Sequence, residues 1–125
     1  MERRGAHNIL GQQGEALAAE FLRNKGYAIL ERNLSVPLGE VDILAQNPDG
    51  GLVVVEVKTL RISYAFNPID KIDWAKRRKL SQLAALVAAR YPDQNVQVDA
   101  VTVYWVESNP KPVVTHLENI LTDES

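Results

Sequence analysis

Apolar residues recur along this chain in two rhythms, one of about 3.6 residues and one of two, and the switches between them mark its elements. In GEALAAEFLRNK, from Gly14 to Lys25, Leu17, Ala18, Phe21 and Leu22 stand at helical spacing, and Gly26 follows as a stop signal. This spacing predicts one amphipathic helix. Tyr27 to Val36 mixes apolar residues with Glu31, Arg32 and Asn33 and ends at Pro37, a weakly marked strand. Two strongly marked strands follow, Gly39 to Ala45 and Gly51 to Thr59, joined by the turn formers Asn47-Pro48-Asp49-Gly50 as a tight hairpin. Beyond an irregular stretch containing Asn67 and Pro68, Ile72 to Tyr91 reads as a long helix. Its stripe is Leu80, Leu83, Ala84, Val87 and Tyr91, and Pro92 stops it. Gln97 to Val106 alternates and is rich in valine and aromatics, which predicts a further strand, with Val113 to Leu117 as a short last one.

The predicted order is helix, three strands, helix, strand, with a possible edge strand. The long connection from the third strand to the next leaves room for a parallel crossover. The expected fold class is therefore α/β, a mixed sheet of four to five strands flanked by helices.

Length adds that 1–125 forms a single domain, because 125 residues is near the commonest domain size and 46% hydrophobic composition supplies an ordinary core. Residues 1–10 and 121–125 are expected as flexible ends. Cysteine is absent, which excludes a disulfide framework, a thiolate metal site and a cysteine nucleophile. The two histidines, His7 and His116, make no metal-ligand spacing and read as surface or terminal residues. No secretory signal or bilayer-spanning stretch is visible, so a cytoplasmic location is expected. A net charge of -2 and a pI near 5.7 exclude a chain that coats nucleic acid by charge alone. Any such contact is local, and the one dense basic run is Lys76-Arg77-Arg78-Lys79.

The hairpin carries the candidate chemistry. Side chains two apart share a face, so Glu40 and Asp42 point one way on one strand, as Glu56 and Lys58 do on the next. Symmetric pairing about the turn sets Asp42 opposite Glu56 and Glu40 opposite Lys58. Two carboxylates opposed at ~5 Å repel by roughly 3 kcal/mol at an effective dielectric near ~20, and a divalent cation between them reverses that sign. Mg²⁺ takes oxygen ligands and needs only one or two protein carboxylates. An ammonium at Lys58 would orient a metal-bound water and neutralise charge developing on a phosphate. The alternative is a half-buried hairpin whose polar face looks at water, in which Glu40 and Lys58 form a simple cross-strand ion pair.

Two other charged residues sit on apolar stripes. Glu15 falls between Ala19 and Leu22 on the helical wheel, so it either reaches a site on the sheet or caps its own helix from the first turn. Lys76 lies four residues before Leu80 and either reaches back across the sheet or snorkels to solvent. Arg77, Arg78 and Lys79 suit phosphate contacts or a solvated face.

The segments GEALAAEFLRNKGYAILERN, GEVDILA, VVVEVKT and the KRRKLSQLA helix resemble the small bacterial YraN-like proteins, themselves similar to PD-(D/E)XK restriction-endonuclease-like enzymes and to Holliday-junction resolvases. The likeness runs from about Gly11 through Tyr104, most of the chain. Its most specific element is the ordered set Gly14-Glu15, Gly39-Glu40-Val41-Asp42 and Glu56-Val57-Lys58. The resemblance implies a restriction-endonuclease-like core, a Mg²⁺ or Mn²⁺ cofactor, Asp42 and Glu56 as metal ligands, Lys58 as catalytic lysine and Glu15 as an additional site carboxylate that also holds the metal. It also implies a homodimer, as resolvase-like relatives form. Relatives usually carry an arginine directly after the Lys-Thr pair, where Leu60 stands here with Arg61 next. Before the last strand they tend to have Arg-Phe-Asp, where this chain has Gln97-Val98-Asp99.

Two functions are therefore expected in competition. One is a metal-dependent nuclease acting on branched or damaged DNA through Asp42, Glu56, Lys58 and Glu15. The other is a non-catalytic nucleic-acid-binding or partner-binding module in which Lys76, Arg77, Lys79 and Arg61 matter more than the carboxylates. A purely structural role in a larger complex is a weaker third.

Overall fold

In a computed structural model, which describes residues 5–62 and 74–121, one five-stranded sheet is covered by a helix on each face. Helix α1 spans Gly5–Asn24 and strands β1 to β3 span Ala28–Val36, Gly39–Gln46 and Leu52–Ile62. A 3-10 turn, Trp74–Lys76, leads into α2, Arg77–Arg90, followed by β4, Val96–Val106, and β5, Val113–Leu117. The sheet order is β1-β2-β3-β4-β5, antiparallel throughout except for the parallel β3–β4 pair. This is the α/β arrangement the alternation and the crossover length imply.

Except at Val41, which joins Leu44 on the α2 side, each helix covers one parity of the strands. Ala18, Ala19 and Leu22 of α1 pack with Ile43, Ala45, Val53, Val55, Val101 and Val103, and Leu80, Leu83 and Val87 of α2 pack with Leu44, Leu52, Val54, Val98 and Ala100. β3 is covered from both sides along Leu52 to Val55, which is why that stretch reads as a continuous apolar run. Helix α1 can lie this close to the sheet because position 14 is glycine. A Cβ there would overlap the Thr59 side chain on β3, reaching 2.9 Å from its Cγ2. The helix ends in a Schellman motif, with Tyr27 N donating to Leu22 O at 3.0 Å and Gly26 N to Arg23 O at 2.9 Å. The β2–β3 turn is tied by Asn47, whose Oδ1 accepts from Asp49 N at 2.9 Å and Gly51 N at 3.0 Å.

Two boundaries differ from expectation. Helix α1 starts at Gly5, nine residues before Gly14, so residues 5–10, expected in a flexible end, are helical. Ile9, within that stretch, is 59% exposed and so adds nothing to the packed stripe. A packed helix propagates into such a segment at little cost. β3 runs on to Ile62 because β4 offers a partner for every residue from Leu52 onward. The expected long helix is described only from the 3-10 turn at Trp74. Its predicted start at Ile72, the stretch with Asn67 and Pro68, residues 1–4 and the acidic end 122–125 lie outside the described residues.

Candidate active site

The sheet forks at the candidate residues. β2 and β3 pair from Gln46↔Leu52 to Ile43↔Val55, in the register expected from the turn, and there their ladder ends. Beyond that point β2 continues with β1 to Gly39, while β3 continues with β4 to Ile62. The next pair would be Asp42 with Glu56. The two opposed carboxylates stand where the strands part, one on each limb. Asp42 closes the break with its side chain, since its Oδ2 accepts from Val57 N at 2.9 Å, a donor that β2 no longer meets with its own backbone.

The fork opens a cleft of about 210 Å³ lined by Glu40, Asp42 and Glu56 from the strands and by Lys76, Lys79, Leu80 and Leu83 from the α2 side. Lys76 Nζ lies 3.2 Å from Glu56 Oε2. Burial pushes the Asp42 carboxyl up from 3.8 to about 7. The Val57 hydrogen bond opposes that rise, and the negative charges of Glu56, Glu15 and Glu40 add to it. Asp42 is therefore an acid whose charged form is disfavoured first by burial and then by its acidic neighbours.

Glu15 approaches from the α1 face. It lies well inside the lengthened helix, which removes the first-turn capping alternative. Its Oε1 is 3.9 Å from Arg32 Nη2 on β1, and burial raises its carboxyl, with Glu40 and Glu56 adding to the rise while Arg32 and an Asn33 hydrogen bond oppose it. Glu15 thus feels the cleft charges without lining the cleft. Lys58 shares a face with Glu56 on β3 but is exposed and outside the cleft lining. The alternative Glu40–Lys58 pair does not form among the described residues, whose ion pairs join other partners. The amine at the carboxylates is that of Lys76, reaching back from the start of α2.

All the donors are hard carboxylate oxygens, the chemistry that Mg²⁺ and Mn²⁺ prefer. Among the described residues no three His, Asp or Glu side chains converge tightly enough to form an all-protein metal cage. The cleft fits a cation held by two carboxylates and completed by water and a substrate oxygen, the commoner arrangement for Mg²⁺.

The profile of the family described as "Uncharacterised protein family UPF0102" matches residues 14–103, from the glycine that lets α1 dock to the middle of β4. The chain belongs to that family. A UPF0102 protein of Desulforamulus reducens is 34% identical over 116 residues, covering 90% of this chain and 94% of its own length. One of Thermodesulfovibrio yellowstonii is 38% identical over 116 residues, with 88% and 93% covered. Among solved structures, the chain is similar to one described as an EndoMS-dsDNA2 complex, with a TM-score of 0.47 and 23% identity over 68% of this chain. It spans 34% of that chain's length, and a likeness of this size carries no activity across.

Other charged residues of this UPF0102 chain lie elsewhere. Arg61 stacks over the Trp105 ring, 5.4 Å from its centroid, beside a separate cavity at the far end of β3 and β4. Arg77 and Arg78 are exposed on α2. No helix among the described residues is long and apolar enough to cross a membrane. His116 corrects its expected surface position, for its side chain is 2% exposed. Its Nε2 lies 2.7 Å from Asp99 Oδ2 and its Nδ1 2.6 Å from Lys25 Nζ. Asp99, fully buried, also accepts from Asn119 N at 2.8 Å and Gln97 Nε2 at 2.9 Å. Gln97, standing where relatives tend to carry arginine, thus serves this buried acid on the α1 face and not the cleft. The side chain of His7 lies outside the described residues. The sequence held a signal for the buried pair: alternation along β4 puts Asp99 on the face of Val101 and Val103, and register puts His116 beside Val101.

Proposed function

We propose that this protein is a metal-dependent nuclease that hydrolyses phosphodiester bonds in DNA, with branched or damaged forms as the first substrates to test. The observation that carries the proposal is the meeting of Glu40, Asp42 and Glu56 in one cleft where β2 and β3 part, with burial pushing the Asp42 carboxyl up to about 7. Three acids meet there against the two amines of Lys76 and Lys79, and a divalent cation would complete their neutralisation. In this reading Asp42 and Glu56 hold Mg²⁺ or Mn²⁺, with Glu15 acting on the site through its charge. A bound cation supplies Lewis acidity and a water of lowered pKa. The chain's own groups do the rest. The Val57 N–H fixes the orientation of the Asp42 carboxylate, Leu80 and Leu83 keep one wall of the cleft dry, and Lys58 swings from solvent to orient the attacking water and offset charge on the phosphate. Lys76 and Lys79, with Arg77 beside them, face the backbone of the nucleic acid.

The test is cleavage of linear, mismatched and four-way-junction DNA with Mg²⁺ or Mn²⁺, run beside Lys58→Ala. Loss of at least a hundredfold in the variant is expected, in line with removal of one charge-stabilising group. Equal traces of cutting by both proteins would mean that the activity belongs to a contaminant. A second reading, a nucleic-acid-binding module without catalysis, draws support from Lys76 and not Lys58 being the amine at Glu56. DNA binding that persists in EDTA and falls steeply with salt, without cleavage of any form, would select it.

A further inference from the structure

The amine at Glu56 has a role of its own. Lys76 sits on the junction between the 3-10 turn and α2, its side chain is 52% exposed, and its ammonium lies 3.2 Å from a Glu56 oxygen. One turn on, Lys79 lies along the same cleft across Gly39. A Cβ on Gly39 would stand 3.2 Å from Lys79 Cε and 3.3 Å from its Nζ, so glycine at that position, with φ at +156°, keeps the path of this second amine open. The two lysines differ in one respect: Lys76 touches a candidate metal ligand, and Lys79 touches the strand end.

We propose that Lys76 is a built-in counter-ion which a divalent cation must displace from Glu56, so that the lysine sets the metal affinity of the cleft. The inference rests on the metal reading given above and names a regulation of that same site. An ammonium 3.2 Å from Glu56 Oε2 repels a divalent cation arriving at the same carboxylate and competes with it for the oxygen lone pairs. Release of the lysine is easy because half of its side chain is already in water, and an exposed ion pair of this kind holds its partners weakly. The metal-free cleft is thereby kept from gathering uncompensated negative charge, and cation binding frees an ammonium beside the spot where a phosphate would lie. Lys76 is thus a positioning residue. It acts on the metal through Glu56.

The experiment is a calorimetric titration of Mn²⁺ into the full chain without nucleic acid, comparing wild type with Lys76→Met, Lys76→Arg and Lys79→Met. Lys76→Met is expected to bind Mn²⁺ about two- to fivefold more tightly, the size of one exposed ion pair removed. Lys76→Arg should match wild type within twofold, and Lys79→Met should gain less than Lys76→Met. Unchanged or weaker binding in Lys76→Met overturns the inference while leaving the metal site standing. An equal gain in Lys79→Met also overturns it, because the effect would then be general charge and not displacement. Absence of Mn²⁺ binding in all four proteins removes the metal reading and this inference together. Binding in Lys76→Met alone would be its strongest support.

Discussion

Two aspartates on the two faces of one sheet, one fully buried and one half-buried, are handled in opposite ways. Asp99, on the α1 side, is fully buried and collects three donors, the Asn119 N–H, the Gln97 amide and the His116 ring. Lys25 completes the chain at His116 Nδ1, which, with an ammonium as donor there, requires the ring hydrogen on Nε2 facing Asp99. Asp42, at the fork, has one backbone donor and three carboxylates for neighbours, and its carboxyl is driven up to about 7. Chain folding satisfied the first acid and left the second wanting positive charge. The contrast separates a structural acid from one poised for a ligand, and it rests on hydrogen-bond supply, since both are carboxylates removed from water.

The largest effect that could break this contrast is expected at Asp99. Asp99→Ala leaves three buried donors without their acceptor and should cost about 3–5 kcal/mol, read as an early urea or thermal transition. Retention of full stability would mean that the network is not structural. Asp42→Asn should do the reverse at alkaline pH. The folded-state value of Asp42 lies above its ordinary 3.8, so the native state binds the proton more tightly than the unfolded chain does. Stability is therefore fully present below about 4 and is lost as pH rises toward 7. Asparagine removes the charge and keeps an acceptor for the Val57 N–H. The variant is expected to gain on the order of 2 kcal/mol over wild type at pH 8, with the difference fading toward pH 4. A pH-independent difference would show that Asp42 is not strained by its neighbours.

The smallest effect sharpens the boundary of the site. Glu15→Gln leaves the helix in place and removes one distant negative charge, so a stability change within about 0.5 kcal/mol and a fall in Mn²⁺ affinity of less than about threefold are expected. A loss as deep as that of Asp42→Asn in a parallel Mn²⁺ titration would place Glu15 among the ligands after all.

The helix–meander–helix–strand order, the hairpin register and the stripe of α2 were all legible before any coordinates, because they depend on periods of two and 3.6 residues that near neighbours impose on one another. The same logic put Asp42 and Glu56 opposite each other. What it could not show was that pairing fails at that position, since strand separation depends on β1 and β4 drawing the two limbs apart. The early start of α1 was equally silent, since Ile9 within it is exposed and adds nothing to the packed stripe. His116 looked like a surface residue because nothing within its own short strand says that Phe21 and Tyr27 will close over it.

By itself, then, the sequence determined which segments are helix and strand, and which side chains share a face. Both are local properties of backbone geometry. Only the tertiary structure decided which acids receive donors and which amine meets Glu56. Those outcomes turn on residues far apart in the chain, Asp99 with His116 through the pairing of β4 with β5, and Glu56 with Lys76 through the way α2 packs on the sheet.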